Sequence, residues 1–482
     1  MKHITADVAI IGSGTAGLAA YRTARAHHKK VIMIEGGRYG TTCARVGCMP
    51  SKLLIAAADS AHRVAQAPAF GVHPGGIRID GRQVMSRVKA ERDRFVGLVL
   101  ASVDSIPAED KMVGRARFVD KNTLMVDGHT RITATSLVIA TGSRPSFPDA
   151  WRELGALLQV NDDVFEWDLL PRSVAVFGPG VIGLELGQAL HRLGVKVWMF
   201  GVGGQLAGLT DPAVMACAGK GFAEEFFLDA DARVGRMERI ADGVEIDYLD
   251  AEGVNERIQV DLVIAATGRR PNVDRLGLER LGMALDDKGV PLVDPYTLQT
   301  SLPHIFVAGD ANDQLPLLHE ANTQGRIAGD NAGRFPDIRA GLRHSRLAVV
   351  FTDPQIAMVG AGYRELERRY GGDGCFAIGE ASFEDQGRSR VVLRNRGMVR
   401  LYAEQGSGLF LGAEMSAPEA EHLAHLLAWA HQSRMTVAQM LEMPFFHPVI
   451  EEGVRTALRD LNAGLHRGPA MADRCMECGV GD

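Results

Sequence analysis

Two cysteines near the start of the chain have the types and spacing needed for redox chemistry. Cys43 and Cys48 lie five positions apart in the run GTTCARVGCMPSK, residues 40–52. Two thiols at this spacing can close a disulfide ring within one short segment, and opening that ring takes up two electrons. Alone, the pair is also consistent with a structural disulfide or with two buried free thiols. The neighbouring sequence motifs distinguish between these interpretations.

A glycine-rich loop upstream of the cysteines predicts a dinucleotide site. It follows an apolar run at 7–11, typical of a buried parallel strand, and precedes an amphipathic stretch at 18–28 that predicts a helix. A second predicted strand, 31–34, ends in Glu35, at the expected distance for binding a ribose hydroxyl. The loop's glycines permit a tight turn and close approach of a pyrophosphate, whose charge the helix N-terminus stabilises. These glycines are Gly12, Gly14 and Gly17.

A flavin on this loop would explain the cysteines. Held beside Cys43 and Cys48, it could exchange a pair of electrons with their disulfide, so we predict a redox-active disulfide coupled to a flavin. Further along, Asp310 follows the apolar run at 305–308. An acid at that point could bind the ribityl chain of a flavin whose adenosine end lies on the first loop.

A second glycine loop near the middle of the chain predicts a second dinucleotide. A predicted strand at 173–177 precedes it, and a predicted helix at 184–193 and a strand at 195–200 follow. Its glycines are Gly178, Gly180 and Gly183. Two apolar runs ending in Ala-Thr-Gly, at Gly142 and Gly268, each close one of the two units. The two units together predict two bound dinucleotides.

Composition limits the classes of function. A chain of 482 residues is too long for one core, so several domains are expected. A net charge of −6 argues against nucleic acid as the main partner, and no apolar run reaches the length of about 18 residues that a membrane span needs. No cleavable signal precedes the first strand, and six cysteines do not suggest a disulfide scaffold. We therefore expect a cytoplasmic protein with no nucleic-acid or membrane partner.

With these motifs, the chain resembles the class I pyridine nucleotide–disulfide oxidoreductases, and among them most closely the dihydrolipoyl dehydrogenases. The resemblance covers roughly residues 5–465 and also rests on FTDP at 351–354 and HPVIEE at 447–452. It implies an α/β fold, with two Rossmann-like dinucleotide-binding domains and a C-terminal α+β dimerisation domain, in a homodimer. The domains implied are FAD-binding (1–149), NAD(P)H-binding (150–270), central (271–340) and interface (341–466), followed by a flexible tail (467–482).

The resemblance also implies roles for individual residues. Cys48 would be the thiol nearer the flavin and Cys43 the one that exchanges with substrate, with His447 as the base and Glu452 orienting its ring. It places Lys52 and Glu185 together near the flavin, where the lysine charge would favour the reduced ring. Further residues expected at the cofactors are Thr42, Gly142 and Gly268, and no metal site is expected.

Three departures from the family pattern affect finer predictions. NAD-specific relatives usually carry an acid where this chain has Gly201, and NADP-specific ones carry arginines in the segment 201–205, which has none. We expect NAD(H) rather than NADP(H), because no cation is present for a 2′-phosphate. Arg45 replaces a common asparagine between the cysteines, where it either stabilises the Cys43 thiolate, attracts an acidic substrate or faces solvent. The tail carries Cys475 and Cys478, a pair that serves as an electron relay, binds a soft metal or is an incidental end.

The function expected is oxidation of dihydrolipoamide, with electrons passing through Cys43–Cys48 and FAD to NAD⁺. The partner would be a small dithiol or disulfide, or a lipoyl-bearing protein. The alternative is an NAD(P)H-dependent reductase of a disulfide, of the thioredoxin or glutathione type, or of mercuric ion, using Cys475 and Cys478. Mercuric members generally lack the histidine matched by His447. A flavin-binding protein without turnover is disfavoured by the presence of both cysteines and the His–Glu pair.

Overall fold

The computed structural model describes residues 1–250, 252–371 and 374–465, and its chain separates into two compact units. The first unit combines Met1–Gly203 with Asp229–Arg343, and the second combines Gly204–Leu228 with the chain from His344 onward. The change of unit at His344 lies close to the predicted interface-domain start at 341. Residues 204–228, placed by the sequence in the NAD(P)H-binding domain, group with the second unit. The finer division of the first unit stays a prediction.

The first glycine loop leaves a sheet that is buried on both faces. Val8 and Ile10 pack into the core that includes helix Thr15–Ala26, whereas Ala9 and Ile11 face the core formed with the segment around 273–290. A strand covered on both sides needs a nearly continuous apolar sequence, which is why 7–11 lacks alternation. In sheet order the strands are Lys111–Val113, Val31–Glu35, Lys2–Ile11, Thr130–Ile139, Thr123–Val126 and Ala116–Asp120, and Ile305–Val307 also pairs with Thr130–Ile139.

Parallel register brings the ends of four strands to one edge of this sheet. Ile11 pairs with Ile34 and with Ile139, and Val307 pairs with Ile139. In open parallel sheets, ligands bind beyond this carboxyl edge. The predicted flavin residues at these strand ends or just beyond them are Gly12, Glu35, Gly142 and Asp310.

Two helices pack closely behind this edge because glycines face the contact. A Cβ on Gly325 of helix Leu318–Arg334 would lie 2.2 Å from the carbonyl oxygen of Ala16, and one on Gly329 would lie 2.3 Å from that of Ala20. Both distances are far below van der Waals contact. The two glycines therefore let the helix that begins at the first glycine loop, Thr15–Ala26, lie directly against a second helix.

A second parallel sheet in the first unit carries the second glycine loop. Phe177 pairs with Phe200 and Ala265, so three strands again end together. Its strands within this unit, in sheet order, are Lys196–Phe200, Ser173–Phe177, Leu262–Ala265 and Leu158–Val160. The strand Phe227–Asp229 ends at Asp229, the residue at which the chain re-enters this unit. An antiparallel sheet of Arg233–Ile240, Gly243–Leu249 and Asn255–Val260 covers it, and Ser143–Pro145 pairs with Arg269–Pro271.

The remaining helices of the first unit are Thr42–Val46, Cys48–Gln66, Gly81–Asp104, Asn161–Val164 and Val181–Arg192, with short 3₁₀ turns at Ala67–Phe70, Ala108–Asp110, Asp149–Leu157, Leu278–Arg280 and Gly309–Asn312. Cys48–Gln66 follows Thr42–Val46 directly, with only Gly47 between them. The helix Val181–Arg192 begins on the second glycine loop. These three helices carry most of the residues predicted to do chemistry.

The second unit is an antiparallel sheet with helices, which gives it α+β character. Its strands, in sheet order, are Leu347–Val350, Gln355–Gly360, Phe410–Ala417, Met398–Glu404 and Phe376–Ser382. Its helices are Pro212–Ala223, Tyr363–Tyr370, Gly387–Val391, Ala420–Gln432, Val437–Leu441 and Glu452–Ala463. The last of these begins at the predicted orienting acid, Glu452.

A buried polar cluster holds residues 204–228 in this unit. The carboxylate of Asp211, which is fully buried, accepts hydrogen bonds from Arg400 and from the hydroxyl of Tyr402. The equally buried Glu414 accepts from the backbone N–H groups of Thr210 and Asp211. Buried charges are stable only when fully paired in this way, so the two carboxylates tie helix Pro212–Ala223 to the sheet.

The predicted fold class is confirmed: two Rossmann-like arrangements of a parallel sheet with helices and a C-terminal α+β region are present. Element bounds differ from the sequence prediction by a few residues, since the first strand begins at Lys2 and the first helix at Thr15 rather than Leu18. Within the described ranges, no helix is long and apolar enough to cross a bilayer.

Replacement of Gly379 should destabilise the protein, because helix Glu452–Ala463 crosses the sheet there. A Cβ on Gly379 would lie 2.3 Å from both the carbonyl oxygen of Ala457 and the amide nitrogen of Leu461. We expect Gly379→Ala to lower the free energy of unfolding by about 1–3 kcal/mol, as overpacking does. Gly387→Ala is the control, since no atom lies within 4 Å of its added carbon. Thermal unfolding followed by circular dichroism should separate the two; equal midpoints would contradict the packing argument.

Candidate active site

The two cysteines lie on consecutive helices that a glycine joins. Cys43 is in Thr42–Val46 and Cys48 begins Cys48–Gln66. A Cβ on Gly47 would lie 3.1 Å from the carbonyl oxygen of Thr42 and 3.2 Å from the Cα of Cys43, so a side chain there would press against the backbone that carries the first thiol. The hydroxyl of Thr41 caps the short helix by accepting from the amide of Ala44. The neighbouring Thr42, the residue we had predicted, is exposed.

In this structure Cys43 and Cys48 are both thiols and form a hydrogen bond with each other. The hydrogen bond from Cys43, aided by the charge of Lys52, lowers the pKa of Cys48 to about 7, against the opposing effect of desolvation. The same hydrogen bond, together with burial, raises the pKa of Cys43. Cys48 also begins a helix, where a thiolate is favoured. Cys48 is therefore the more acidic thiol of the reduced pair.

Lys52 is held by a buried acid on the helix that begins at the second glycine loop. Its Nζ donates to both carboxylate oxygens of Glu185 at 2.8 and 2.9 Å, and the Glu185 side chain is only 5% exposed. Lys52 lies one helical turn after Cys48, on the same face of its helix. The structure thus brings together the Lys–Glu pair named from the sequence; its role at the flavin stays a prediction.

The first glycine loop shows why each glycine is needed. Gly12 has φ +108°, and a Cβ on it would lie 2.2 Å from the carbonyl oxygen of Ala140. A Cβ on Gly17 would lie 2.0 Å from the carbonyl oxygen of Gly12, whereas around Gly14 no atom lies within 4 Å. Two glycines are thus required by the protein's own packing, and the third faces open space at the N-terminus of a helix. This arrangement fits a dinucleotide pyrophosphate.

Side chains around the same edge also fit the predicted FAD. Glu35 is tied to the loop, accepting from the amide and hydroxyl of Ser13 at 2.9 and 2.5 Å and from the amide of Gly37 at 2.8 Å. Gly142 has φ +66° and open space around it, and the adjacent Thr141 hydroxyl is buried without a hydrogen-bond partner in the described structure. An unsatisfied buried hydroxyl of this kind suits contact with a bound group.

A hydrogen-bond network that we did not predict links the carboxyl edge of the first sheet to the two helices that carry Cys43 and Cys48. The Ser143 hydroxyl donates to Asp310 at 2.7 Å and accepts from Nε of Arg269 at 2.8 Å. Arg269 also lies 3.5 Å from the side-chain oxygen of Asn161, whose amide donates to the carbonyl of Val46 at 3.1 Å. Ser143 and Arg269 directly follow the two Ala-Thr-Gly runs, which was the available signal in the sequence.

The second glycine loop repeats the first. Gly178 has φ +102° and its Cβ would lie 2.4 Å from the carbonyl oxygen of Ala266, while one on Gly183 would lie 2.0 Å from that of Gly178. Gly180, like Gly14, has no atom within 4 Å. Gly268, which ends the second Ala-Thr-Gly run, has φ +122°, and no atom lies within 4 Å of a Cβ added to it. A second dinucleotide fits here by the same argument.

In the second unit, His447 and Glu452 form the expected pair. Nδ1 of His447 lies 3.0 Å from a carboxylate oxygen of Glu452, which also accepts from the amide of Val449. These hydrogen bonds outweigh desolvation and lower the pKa of Glu452. The carboxylate fixes the imidazole ring from one side, and the His447 side chain remains 80% exposed. An exposed, oriented imidazole is suited to proton transfer.

The other cysteines have no place in this arrangement. Among the described residues, Cys217 and Cys375 form no disulfide, and both are half-buried. Desolvation and the charge of Glu384 raise the pKa of Cys217, so it is a poor nucleophile. Cys475 and Cys478 lie outside the described residues.

Family models match almost the whole of the described chain. Residues 6–325 match the pyridine nucleotide-disulphide oxidoreductase model, and residues 347–458 match the dimerisation domain of the same family. The protein therefore belongs to the pyridine nucleotide-disulphide oxidoreductase family, whose members are FAD-dependent enzymes that use a pyridine nucleotide and act on sulfur groups. The dimerisation domain supports a homodimer.

Curated relatives divide between two activities. A mercuric reductase of Shigella flexneri is 31% identical over 94% of this chain and 80% of its own length. A dihydrolipoyl dehydrogenase of Geobacillus stearothermophilus is 29% identical over 93% of this chain and 94% of its own. Identity at this level establishes a flavoprotein disulfide oxidoreductase and leaves the substrate open.

Solved structures agree on the fold. LpdA of Mycobacterium tuberculosis superposes with a TM-score of 0.78 at 26% identity, covering 95% of this chain and 99% of its own. The HOCl-induced flavoprotein disulfide reductase RclA of Escherichia coli has the same TM-score and coverage at 21% identity, and so supports the fold alone.

Cys48 should give the reduced enzyme a long-wavelength charge-transfer band with the flavin. Because the pKa of Cys48 is about 7, the band should weaken as the pH falls through that value and the thiolate is protonated. Cys48→Ser should retain the flavin and lose the band, whereas Cys43→Ser, the control, should keep it. A band that survives Cys48→Ser would show that the other thiol faces the flavin.

The midpoint of this titration should respond to two charges with opposite sign. The charge of Lys52 lowers the pKa of Cys48 and that of Glu185 raises it. Lys52→Met should therefore move the midpoint upward and Glu185→Gln downward, as measured by absorbance of the reduced enzyme across a pH series. Shifts in the same direction in both variants would mean that disruption of the ion pair, rather than charge, controls the thiol.

Proposed function

We propose that the protein is an FAD-dependent dihydrolipoyl dehydrogenase that oxidises dihydrolipoamide and passes the electrons through Cys43 and Cys48 to FAD and then to NAD⁺. The observation that carries this proposal is the hydrogen-bonded pair of His447 and Glu452. Oxidising a dithiol requires a base that removes thiol protons at neutral pH, and mercuric members of the family generally lack this histidine.

The chemistry starts from the Cys43–Cys48 disulfide. His447 takes the proton of one substrate thiol, and the thiolate attacks Sγ of Cys43, breaking the disulfide and releasing Cys48 as a thiolate. The second substrate thiol then attacks the mixed disulfide, forming the substrate disulfide and leaving Cys43 as a thiol. Two electrons have moved to the cysteine pair, and one proton remains on His447. A low pKa makes Cys48 a good leaving group.

FAD, when bound, supplies a two-electron acceptor between the cysteine pair and the nicotinamide. The chain's own contribution is electrostatic and steric. Lys52 keeps a positive charge beside the Cys48 thiolate, and Glu185 fixes the position of that charge. The glycine loops admit the pyrophosphates, and Glu35 and Asp310 are proposed to bind FAD hydroxyls.

In this proposal the active unit is a homodimer, and the His447–Glu452 pair of each chain serves the cysteines of the other. The family resemblance and the dimerisation-domain match support this arrangement. The substrate would be free dihydrolipoamide or a lipoyl-bearing protein. A reducing compartment such as the cytoplasm suits a thiol–disulfide cycle of this kind.

Mercuric ion reduction is the second candidate, favoured by the mercuric reductases among the relatives, of which one is 31% identical. Electrons would then run from NAD(P)H through FAD and Cys43–Cys48 to a metal held by thiols. Cys475 and Cys478 are the candidates for a terminal thiol pair, with soft-metal affinity as the reason. Reduction of a glutathione- or thioredoxin-type disulfide would use the same route.

A steady-state panel at equal enzyme concentration should separate these candidates. We expect dihydrolipoamide with NAD⁺ to give turnover at least 100 times faster than NAD(P)H with Hg²⁺, glutathione disulfide or thioredoxin, a ratio of roughly 2.7 kcal/mol in activation free energy. His447→Gln should slow lipoamide turnover by about 10²-fold or more, which is the usual contribution of general-base catalysis.

The double variant Cys475→Ser/Cys478→Ser provides the matched control. It should leave lipoamide turnover within a factor of about three. Faster turnover with Hg²⁺ or a protein disulfide, abolished in this variant, would establish the second candidate and reject the dehydrogenase.

Mixed dimers should test where His447 acts. Neither His447→Ala nor Cys43→Ser homodimers should turn over lipoamide at a useful rate. After verified subunit exchange, mixed dimers should regain activity because one of their two sites has both residues intact. The expected yield is about one quarter of wild-type activity, since half of a statistical mixture is heterodimer with one working site. No recovery would mean that each site is built within one chain.

A further inference from the structure

The second glycine loop lacks an acid at the usual position, and the structure shows why no side chain can be placed there. A Cβ on Gly201 would lie 2.5 Å from the carbonyl oxygen of Ala230 and 2.7 Å from Cγ of Pro179. Both distances are shorter than real contacts allow. An acid for the adenosine ribose therefore has to come from another position in the chain.

The two parallel sheets of the first unit have equivalent hydrogen bonds around their glycine loops. The amide of Gly12 donates to Ile34 at 2.8 Å, and the amide of Gly178 donates to Phe200 at 2.8 Å. The residues that directly follow these two acceptors are Glu35 and Gly201. Each accepts a backbone hydrogen bond from the neighbouring segment, Glu35 from Gly114 at 2.8 Å and Gly201 from Ala232 at 2.9 Å. Gly201 thus occupies the position of Glu35.

A different acid makes the hydrogen bond that Glu35 makes in the first sheet. Two residues after Glu35, the amide of Gly37 donates to its carboxylate at 2.8 Å. Two residues after Gly201, the amide of Gly203 donates to Oδ1 of Asp231 at 2.7 Å. We propose that Asp231 is the residue that binds the adenosine ribose hydroxyls and selects NAD(H) over NADP(H), an inference that rests on the proposed use of NAD(H).

Asp231 has the capacity that this role needs. The carboxylate of Glu35 also accepts from the amide and hydroxyl of Ser13, but the equivalent residue in the second loop is Pro179, which has no amide hydrogen. Asp231 is exposed, and its second oxygen has no hydrogen-bond partner within the described ranges. It can therefore accept from a ribose hydroxyl.

The local charge opposes a 2′-phosphate. Asp229, two residues before Asp231, accepts a hydrogen bond from the backbone amide of Asp231 at 3.0 Å. Among the described residues, no lysine or arginine forms an ion pair with either of these two acids. Two carboxylates without a paired cation repel a 2′-phosphate dianion, whereas they can accept hydrogen bonds from free ribose hydroxyls.

The test measures binding rather than turnover. FAD-loaded wild-type enzyme, Asp231→Asn and the control Glu256→Gln, which removes an exposed charge from the covering sheet, are titrated calorimetrically with ADP-ribose and 2′-phospho-ADP-ribose. Wild type should bind ADP-ribose at least tenfold more tightly than 2′-phospho-ADP-ribose. Asp231→Asn should weaken ADP-ribose binding by roughly tenfold, the loss of a charged hydrogen bond, and tighten or leave unchanged the phosphorylated ligand. Glu256→Gln should match wild type.

Two failures are distinguishable. If wild type prefers 2′-phospho-ADP-ribose, the proposed use of NAD(H) is wrong, and this inference fails with it. If wild type prefers ADP-ribose and Asp231→Asn keeps the same preference, the choice of NAD(H) stands and only the assignment of Asp231 is overturned. Equal losses in Asp231→Asn and Glu256→Gln would also overturn it, since general charge and not a local contact would then be responsible.

Discussion

The ion pair between Lys52 and Glu185 is the interaction on which the candidate active site depends. It joins the helix that begins at Cys48 to the helix that begins on the second glycine loop, and its acid is almost fully buried. A buried carboxylate without its cation would be costly, so the two helices are held in one relative position. The same cation lowers the pKa of Cys48. One contact therefore holds the helix of Cys48 in place and adds to the hydrogen bond from Cys43 in lowering the pKa of that thiol.

Much of this arrangement was readable from the sequence because it depends on backbone constraints. Gly12 and Gly17 are required because a Cβ at either position would collide with a backbone carbonyl, and glycine leaves a distinctive pattern in the sequence. The Cys43–Cys48 spacing and the buried strands were likewise visible, since apolar runs and fixed spacings are local properties. The fold class followed from the repetition of strand, loop and helix.

What escaped prediction depends on residues distant in sequence. Ser143, Arg269 and Asn161 act through hydrogen bonds to one another and to Val46, and nothing in their local sequence distinguishes them from ordinary polar residues. Gly201 was visible as a missing acid, but only packing against Pro179 and Ala230 gives the steric reason. The placement of residues 204–228 in the second unit depends on buried partners almost 200 positions further along, which no local pattern encodes.

The path of the chain between the two units limits how this protein can be divided. The chain leaves the first unit after Gly203, returns at Asp229 and leaves again after Arg343. A fragment starting at His344 would lack Thr210 and Asp211, so the buried Glu414 would lose three of its hydrogen-bond donors. Tyr402 would lose its acceptor, and Arg400 would lose one of its two acidic partners. The C-terminal region is thus not a transferable module, and recombination between relatives would have to exchange 204–228 together with it.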